Sequence, residues 1–178
     1  MKALSEDLGF ELRVVQPAQV NGVVARSSTI RTALSSGDMA TASELLGRTF
    51  SITGTVTEGD RRGRTLGFPT ANIKPDPSGV IPADGIYACF VTTDSGRYLA
   101  ATSIGVRPTF DKGPRIIEPF LLDFNEDLYG QQITVEFVKR LRGEERFDSV
   151  DALIVQMNND VSYTRQLLGT AHQQSGSR

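Results

Sequence analysis

The chain has 178 residues, 39% of them apolar and 22% charged, enough to bury one core of about 100–150 residues. It holds no run approaching the roughly 18–20 consecutive apolar residues that cross a bilayer, and its start has no secretion-type apolar run, so a cytoplasmic globular protein without a membrane partner is expected. The formal net charge of −2 argues against a nucleic-acid surface, and any phosphate ligand must therefore be met by a local device.

The single cysteine, Cys89, excludes a disulfide framework and a cysteine zinc cluster. It sits in an alternating apolar segment and reads as a buried structural thiol. The single histidine, His172, lies in a polar stretch near the end of the chain, so sites that depend on a positioned imidazole are excluded and a general base falls to a carboxylate.

Residues 1–47 and 48–169 differ in pattern. The first part offers one strand, Phe10 to Val15, ended by Pro17. Two short helices follow, Thr29 to Ser36 stopped by Gly37, and Asp38 to Leu46 with Asp38 as N-cap and Gly47 after its end. One strand and two small helices bury too little area to stand as a domain.

From Thr49 the pattern changes to period two, with Phe50, Ile52, Gly54 and Val56 on one side of a strand. Similar segments recur at 85–93, 97–104, 116–124 and 132–141, separated by turn chemistry such as Asp94-Ser95-Gly96. Five or six antiparallel strands without an intervening helix imply a closed barrel or a sandwich. One helix follows, with Phe147 before its start, Asp148 as N-cap and Asp151 three residues on. Its stripe at helical spacing runs through Val150, Leu153, Ile154, Met157, Val161, Thr164 and Leu168 and packs on the barrel, with Gly169 as the stop and residues 170–178 as a disordered tail.

The stretch Glu58 to Asn72 carries the chemistry. It has glycines at 59, 63 and 67 for close backbone approach, arginines at 61, 62 and 64, and Thr70 and Asn72 after Pro69. These are the ingredients of a phosphate cradle, although no Walker order is present and a solvated hairpin has the same composition. In an extended chain Thr70 and Asn72 point the same way. They suit either a hard cation that shares its shell with phosphates and water or a side-chain-stabilised turn. Glu118, in an apolar strand beside Ile116, Ile117 and Phe120, is either outward-facing or functional, and the pattern alone favours outward.

The run Gly63-Arg64-Thr65-Leu66-Gly67-Phe68-Pro69-Thr70-Ala71-Asn72, preceded by Gly59, resembles the signature of riboflavin kinases that covers the ATP phosphates. Three further stretches agree in order: Thr102 to Phe110, Ile117 to Phe124 running on to Asp127 to Gly130, and Arg142 to Ser149. The resemblance covers about residues 48–169. It implies a mainly β fold, a six-stranded antiparallel Greek-key barrel with a C-terminal helix packed on it, and transfer of the γ-phosphate of ATP to riboflavin with Mg2+, giving FMN.

By the same resemblance Glu118 is the catalytic base for the ribityl 5′-hydroxyl, and Thr70 and Asn72 contact the metal. Gly59, Gly63, Arg64, Gly67, Phe68, Pro69, Thr70 and Asn72 hold ATP and its phosphates, while Arg142 and Phe147 belong to the loop over the flavin. Arg107 is left without a role. Ser27 to Arg31 is similar to the last motif of the FMN adenylyltransferase module that precedes the kinase in bifunctional FAD synthetases. No histidine precedes residue 172, so residues 1–47 are expected to be a short α/β remnant of that module without adenylyl transfer. The alternatives are a flavin-binding barrel without catalysis, or the kinase part of a bifunctional synthetase whose adenylyltransferase part lies outside this chain.

Overall fold

The computed structural model describes residues 2–58, 67–75, 79–106 and 115–175. The chain order is α1 (Lys2–Leu8), β1 (Gln19–Val20), β2 (Val23–Val24), α2 (Ser27–Ser36), α3 (Met39–Leu46), β3 (Phe50–Thr57), β4 (Asn72–Pro75), β5 (Gly85–Thr93), β6 (Gly96–Val106), β7 (Arg115–Leu121), β8 (Gln132–Arg142) and α4 (Val150–Ser175).

The six long strands close on themselves in the order β3-β4-β7-β6-β5-β8, all pairs antiparallel. Strands β5, β6 and β7 are consecutive neighbours and β8 returns beside β5, which is a Greek key. The period of two in the sequence therefore resolves to a barrel. Closure leaves no unpaired edge strand, and one side chain in two enters the interior: Val56, Ile73, Tyr87, Cys89, Ile104, Ile117, Ile133, Val135 and Phe137 make the core. Burial pushes the Cys89 thiol up to about 12, as the structural reading of that cysteine requires.

The two short helices join the same core. Ala33 and Leu34 of α2, with Met39 and Ala42 of α3, cluster with the barrel residues, and the Ala83 N–H donates to the Leu34 carbonyl at 2.9 Å. Asp38 caps α3 as expected, accepting from the Thr41 N–H at 3.0 Å. Gly37 and Gly47 end α2 and α3 in the left-handed region. Helix α4 lies across the outside of β5 and β6, where Leu167 and Leu168 meet Ala88, Phe90 and Leu99.

Three local expectations are corrected. Phe10 to Val15 forms no strand, and Val14 and Val15 stay exposed. The extended pairing near the start is instead the two-residue hairpin of β1 and β2. Its Asn21-Gly22 turn takes φ of 50° and 78°, the mirror-image turn that Asn-Gly favours. The N-cap of α4 is Ser149, whose Oγ accepts from the Ala152 N–H at 3.1 Å, one residue later than Asp148. Gly169 does not stop α4, which continues to Ser175 over part of the expected tail; an isolated glycine costs only about 1 kcal/mol in a helix interior.

Candidate active site

Backbone register decides which side chains share a patch of the barrel wall. The pair Ile73↔Ile117 joins β4 to β7, and the Ala71 N–H donates to the Pro119 carbonyl at 2.9 Å on the same register. Asn72 therefore stands directly opposite Glu118. Facing residues of an antiparallel pair have Cβ atoms about 4.5–5.5 Å apart on one face. The neighbouring ladders extend the row, since Thr57 pairs with Asn72, Ser103 with Glu118, Ile86 with Ser103 and Arg142 with Ile86.

A single row across the outside of the barrel thus reads Thr57, Asn72, Glu118, Ser103, Ile86, Arg142. At about 4.8 Å per strand, Arg142 begins roughly 14 Å along the wall from Glu118. Glu118 does face outward, as its strand pattern favours, and outward is the side that carries Asn72. Glu118 is half-buried and Asn72 is 8% exposed, and neither is without a partner.

The polypeptide between residues 67 and 72 is anchored against the same strand. Gly67 has φ of 84° with open space around it, so the requirement for glycine is conformational. The turn it makes drops Phe68, 8% exposed, onto Phe120 with ring centroids 5.2 Å apart at 65°. Phe120 lies two residues beyond Glu118 on the same face. Pro69 and the half-buried Thr70 then line a cleft of about 360 Å3 with Val56, Leu121, and Phe124 to Tyr129.

The far wall of that cleft is ordered by its own backbone. The Asp127 carboxylate accepts from the Tyr129 N–H at 2.9 Å, the Asp127 carbonyl accepts from the Gln131 amide at 2.8 Å, and the Gly130 N–H donates to the Val56 carbonyl at 2.9 Å. Leu128 is buried beneath it. Phe124 and Asp127 to Tyr129 belong to a family-like stretch of the sequence, which carries no expectation that they line a cleft; the Asn-Glu-Asp run reads there as an ordinary turn.

Among the described residues no group of three or more His, Cys, Asp or Glu side chains could hold a metal ion. A hard cation here would have to combine neutral oxygens, such as those of Thr70 and Asn72, with ligand oxygens and water. Their placement between the cleft and the Glu118 carboxylate fits a cation shared with a phosphate. Gly59, Gly63, Arg64 and Arg107 lie outside the described residues.

The other end of the row holds Arg142 and Phe147. The guanidinium lies 5.7 Å from the Phe147 ring centroid, but its nitrogens are already engaged. Nε reaches the Asp160 carboxylate oxygens at 3.0 and 3.2 Å and Nη2 at 2.8 Å, while Nη1 donates to the Gly143 carbonyl at 3.1 Å. Asp160 was missed in the sequence, where it is one polar residue of a helix.

Glu144 lies over Gly105 so closely that a Cβ there would collide with its carboxylate. Burial and, secondarily, the charge of Asp84 raise the Glu144 pKa against the opposing pull of Arg115. Arg115 is itself bound to the Asp84 carboxylate at 2.7 Å and the Ile81 carbonyl at 3.1 Å.

A sequence model of the family described as flavokinase, riboflavin kinase, matches residues 46–168. The bifunctional riboflavin kinase/FMN adenylyltransferase of Bacillus subtilis strain 168 is 43% identical over 165 residues, covering 90% of this chain and 52% of that protein. The protein of the same description from Escherichia coli K12 is 39% identical over 164 residues, covering 92% and 52%. The chain spans about half the length of these curated relatives. Among solved structures, a Streptococcus pneumoniae protein described as a macrolide-efflux protein superposes with a TM-score of 0.83 at 35% identity, over 92% of this chain and 54% of that one. The riboflavin kinase of Trypanosoma brucei superposes with a TM-score of 0.51 at 27% identity, over 72% and 85%.

Proposed function

The chain belongs to the riboflavin kinase family, and from that premise we propose that it transfers the γ-phosphate of ATP to the 5′-hydroxyl of riboflavin, giving FMN and ADP. The observation that carries this reading is the register that sets Asn72 beside Glu118, at the end of the barrel wall where Thr70 enters the cleft.

Phosphoryl transfer asks the protein for positioning and charge neutralisation more than for covalent chemistry. The nucleotide occupies the cleft between Pro69–Ala71 and Phe124–Tyr129, with its phosphates toward the glycine-arginine segment. Backbone amides around residues 63–68 and the Arg64 guanidinium hold those phosphates, with Gly59 giving the backbone room to approach. Thr70 and Asn72 would hold magnesium, which would supply neutralisation of the phosphate charge.

The isoalloxazine end of riboflavin lies under the loop from Gly143 to Ser149, with Phe147 against it. The ribityl chain runs along the wall past Ser103 toward Glu118. Glu118 accepts the proton of the 5′-hydroxyl as its oxygen bonds to the γ-phosphorus and the bond to the bridging oxygen of ADP breaks. The half-buried setting of Glu118 strengthens its interaction with that hydroxyl.

Residues 48–169 form the kinase unit in this reading. Residues 1–47 resemble the end of an adenylyltransferase-type module and take no part in the phosphate transfer in this reading. ATP and riboflavin as substrates favour a cytoplasmic setting in this reading, and the slight acidic balance disfavours nucleic acid as a partner; no described helix is long and apolar enough to cross a membrane.

The purified chain is to be incubated with riboflavin, ATP and magnesium chloride, and both products measured by chromatography. One ADP per FMN, abolished by chelator, is expected. Quenching of riboflavin fluorescence with no ADP release would leave a flavin-binding barrel in place of a kinase.

A further inference from the structure

We propose that Asp160 is a positioning residue for the flavin: through Arg142 it fixes the Gly143–Ser149 loop in the shape that receives the isoalloxazine ring. The inference rests on the proposed riboflavin kinase reading, because it assigns that loop to riboflavin. Asp160 lies ten residues into α4, is 6% exposed, and its side chain is 8% exposed. Both its oxygens are taken by Arg142, at 2.8 to 3.2 Å. A third donor, the Gln156 side-chain amide, reaches Oδ1 at 3.0 Å. A buried carboxylate with this many donors is committed to one geometry.

Arg142 ends β8 and passes that geometry on. Its remaining nitrogen, Nη1, donates to the Gly143 carbonyl at 3.1 Å and stands 3.9 Å from the Glu145 carboxylate, and the guanidinium carbon lies 5.7 Å from the Phe147 ring centroid. The guanidinium is therefore bonded to the first residue of the loop and lies near the third and fifth, while Asp160 holds it from the helix behind. With Nε and Nη2 spent on Asp160, Arg142 reaches the flavin region chiefly through the loop it shapes. The helix alone does not need this clasp for docking, since Leu167 and Leu168 already fix it against Ala88 and Phe90 about two turns further along. The clasp sits nearer the N-terminal end of the helix, on the side of the loop.

The other charged groups around the loop belong to a separate set. Glu144 lies on Gly105 and feels Asp84 and Arg115, so removal of Asp160 leaves that contact in place and frees Arg142 and its side of the loop. Loss of the clasp should therefore loosen riboflavin selectively, and leave the nucleotide cleft at residues 69–71 and 124–129 unaffected.

The test uses Asp160→Ala and Asp160→Asn, the second retaining size and one acceptor oxygen, assayed at least 15 °C below the melting temperature of each variant. The expected result is a rise of 10-fold or more in riboflavin KM and in Kd from fluorescence quenching for the alanine variant, and a smaller rise for asparagine. ATP KM should stay within 2-fold, and kcat at saturating riboflavin should fall by less than riboflavin KM rises. Hydrogen exchange in the ligand-free protein should quicken at the amides of residues 143–149 more than at those of β3 and β4. Riboflavin Kd unchanged in both folded variants, or riboflavin and ATP constants rising together, overturns the proposal and leaves the kinase reading standing. A wild-type chain that binds no riboflavin overturns both.

Discussion

Phe68→Ala separates the anchoring of the phosphate segment from the stability of the barrel. Phe68 is 8% exposed and its ring packs edge-on against Phe120 at 5.2 Å, yet it does not belong to the closed core of the barrel. Truncating a buried phenylalanine costs about 3–5 kcal/mol, of which the aromatic pair accounts for about 0.5–1.5 kcal/mol. The peripheral position points to the low end, about 3 kcal/mol.

Between Gly67 and β4 the Ala71 to Pro119 backbone hydrogen bond ties the segment to β7, so most of that cost should appear as local detachment. Three kcal/mol corresponds to about two decades in an equilibrium, and apparent affinity falls in proportion to the competent fraction. ATP KM should therefore rise by about 10- to 100-fold. If the same 3 kcal/mol were borne by the whole fold, the melting temperature would fall by about 6–12 °C, so the two readouts discriminate. Steady-state kinetics and thermal melts of Phe68→Ala, with Phe68→Leu as a partial restoration, decide the matter. An ATP KM within 2-fold of wild type combined with the full fall in melting temperature would refute the anchoring argument and make Phe68 an ordinary core residue.

Glu118→Ala should lower kcat by about 10²–10⁴-fold, the usual contribution of a general base, with ATP binding by calorimetry nearly intact; unchanged turnover removes Glu118 from that role. Thr70→Ala should weaken ATP and magnesium together, and a normal nucleotide Kd across a magnesium titration reassigns the metal contact. Cys89 gives a pH prediction. Burial raises its pKa from 9.0 to about 12, so the thiol's contribution to stability is complete below about pH 9 and is lost as pH rises toward 12, at about 1.4 kcal/mol per pH unit. Cys89→Ala should therefore lose about 2 kcal/mol less than wild type between pH 8 and pH 10.5 in urea melts. Tyr87, also raised by burial, acts in the same sense in both proteins, and parallel pH curves would count against the linkage.

The parts of this molecule legible in the sequence are those set by short-range periodicity. Period two fixes the faces of β3, β5, β6, β7 and β8, and the left-handed glycines at 37 and 47 end α2 and α3 where turn chemistry demands. Phe10 to Val15 fails for the complementary reason: a strand needs a partner, and that alternation lies beside none. The misplaced cap of α4 is a competition between adjacent candidates, Asp148 and Ser149, which composition does not decide and the hydrogen bond to Ala152 does. Asp160 was illegible because its meaning depends on Arg142, 18 residues away on another element, and nothing in a helical repeat marks one aspartate as the partner of a strand-end arginine. The proximity of Asn72 and Glu118 is likewise a property of register between strands 46 residues apart in sequence.

The docking of α2 and α3 bears on how the site is supported. The Leu34 carbonyl holds the Ala83 N–H, and Gly37 packs so tightly on Arg140 that a Cβ would stand 2.5 Å from its Cδ. Arg140 in turn donates to the Asp84 carbonyl, and Asp84 binds the Arg115 that opens β7. Glu118 is three residues further along that strand. The helices before residue 47 therefore brace the start of the strand that carries the proposed base, and removing them would expose Leu34, Met39 and their partners in the barrel core while freeing the Arg140, Asp84 and Arg115 chain. In physical terms α2 and α3 are packed into the core of the barrel, even though the period-two pattern begins only at Thr49.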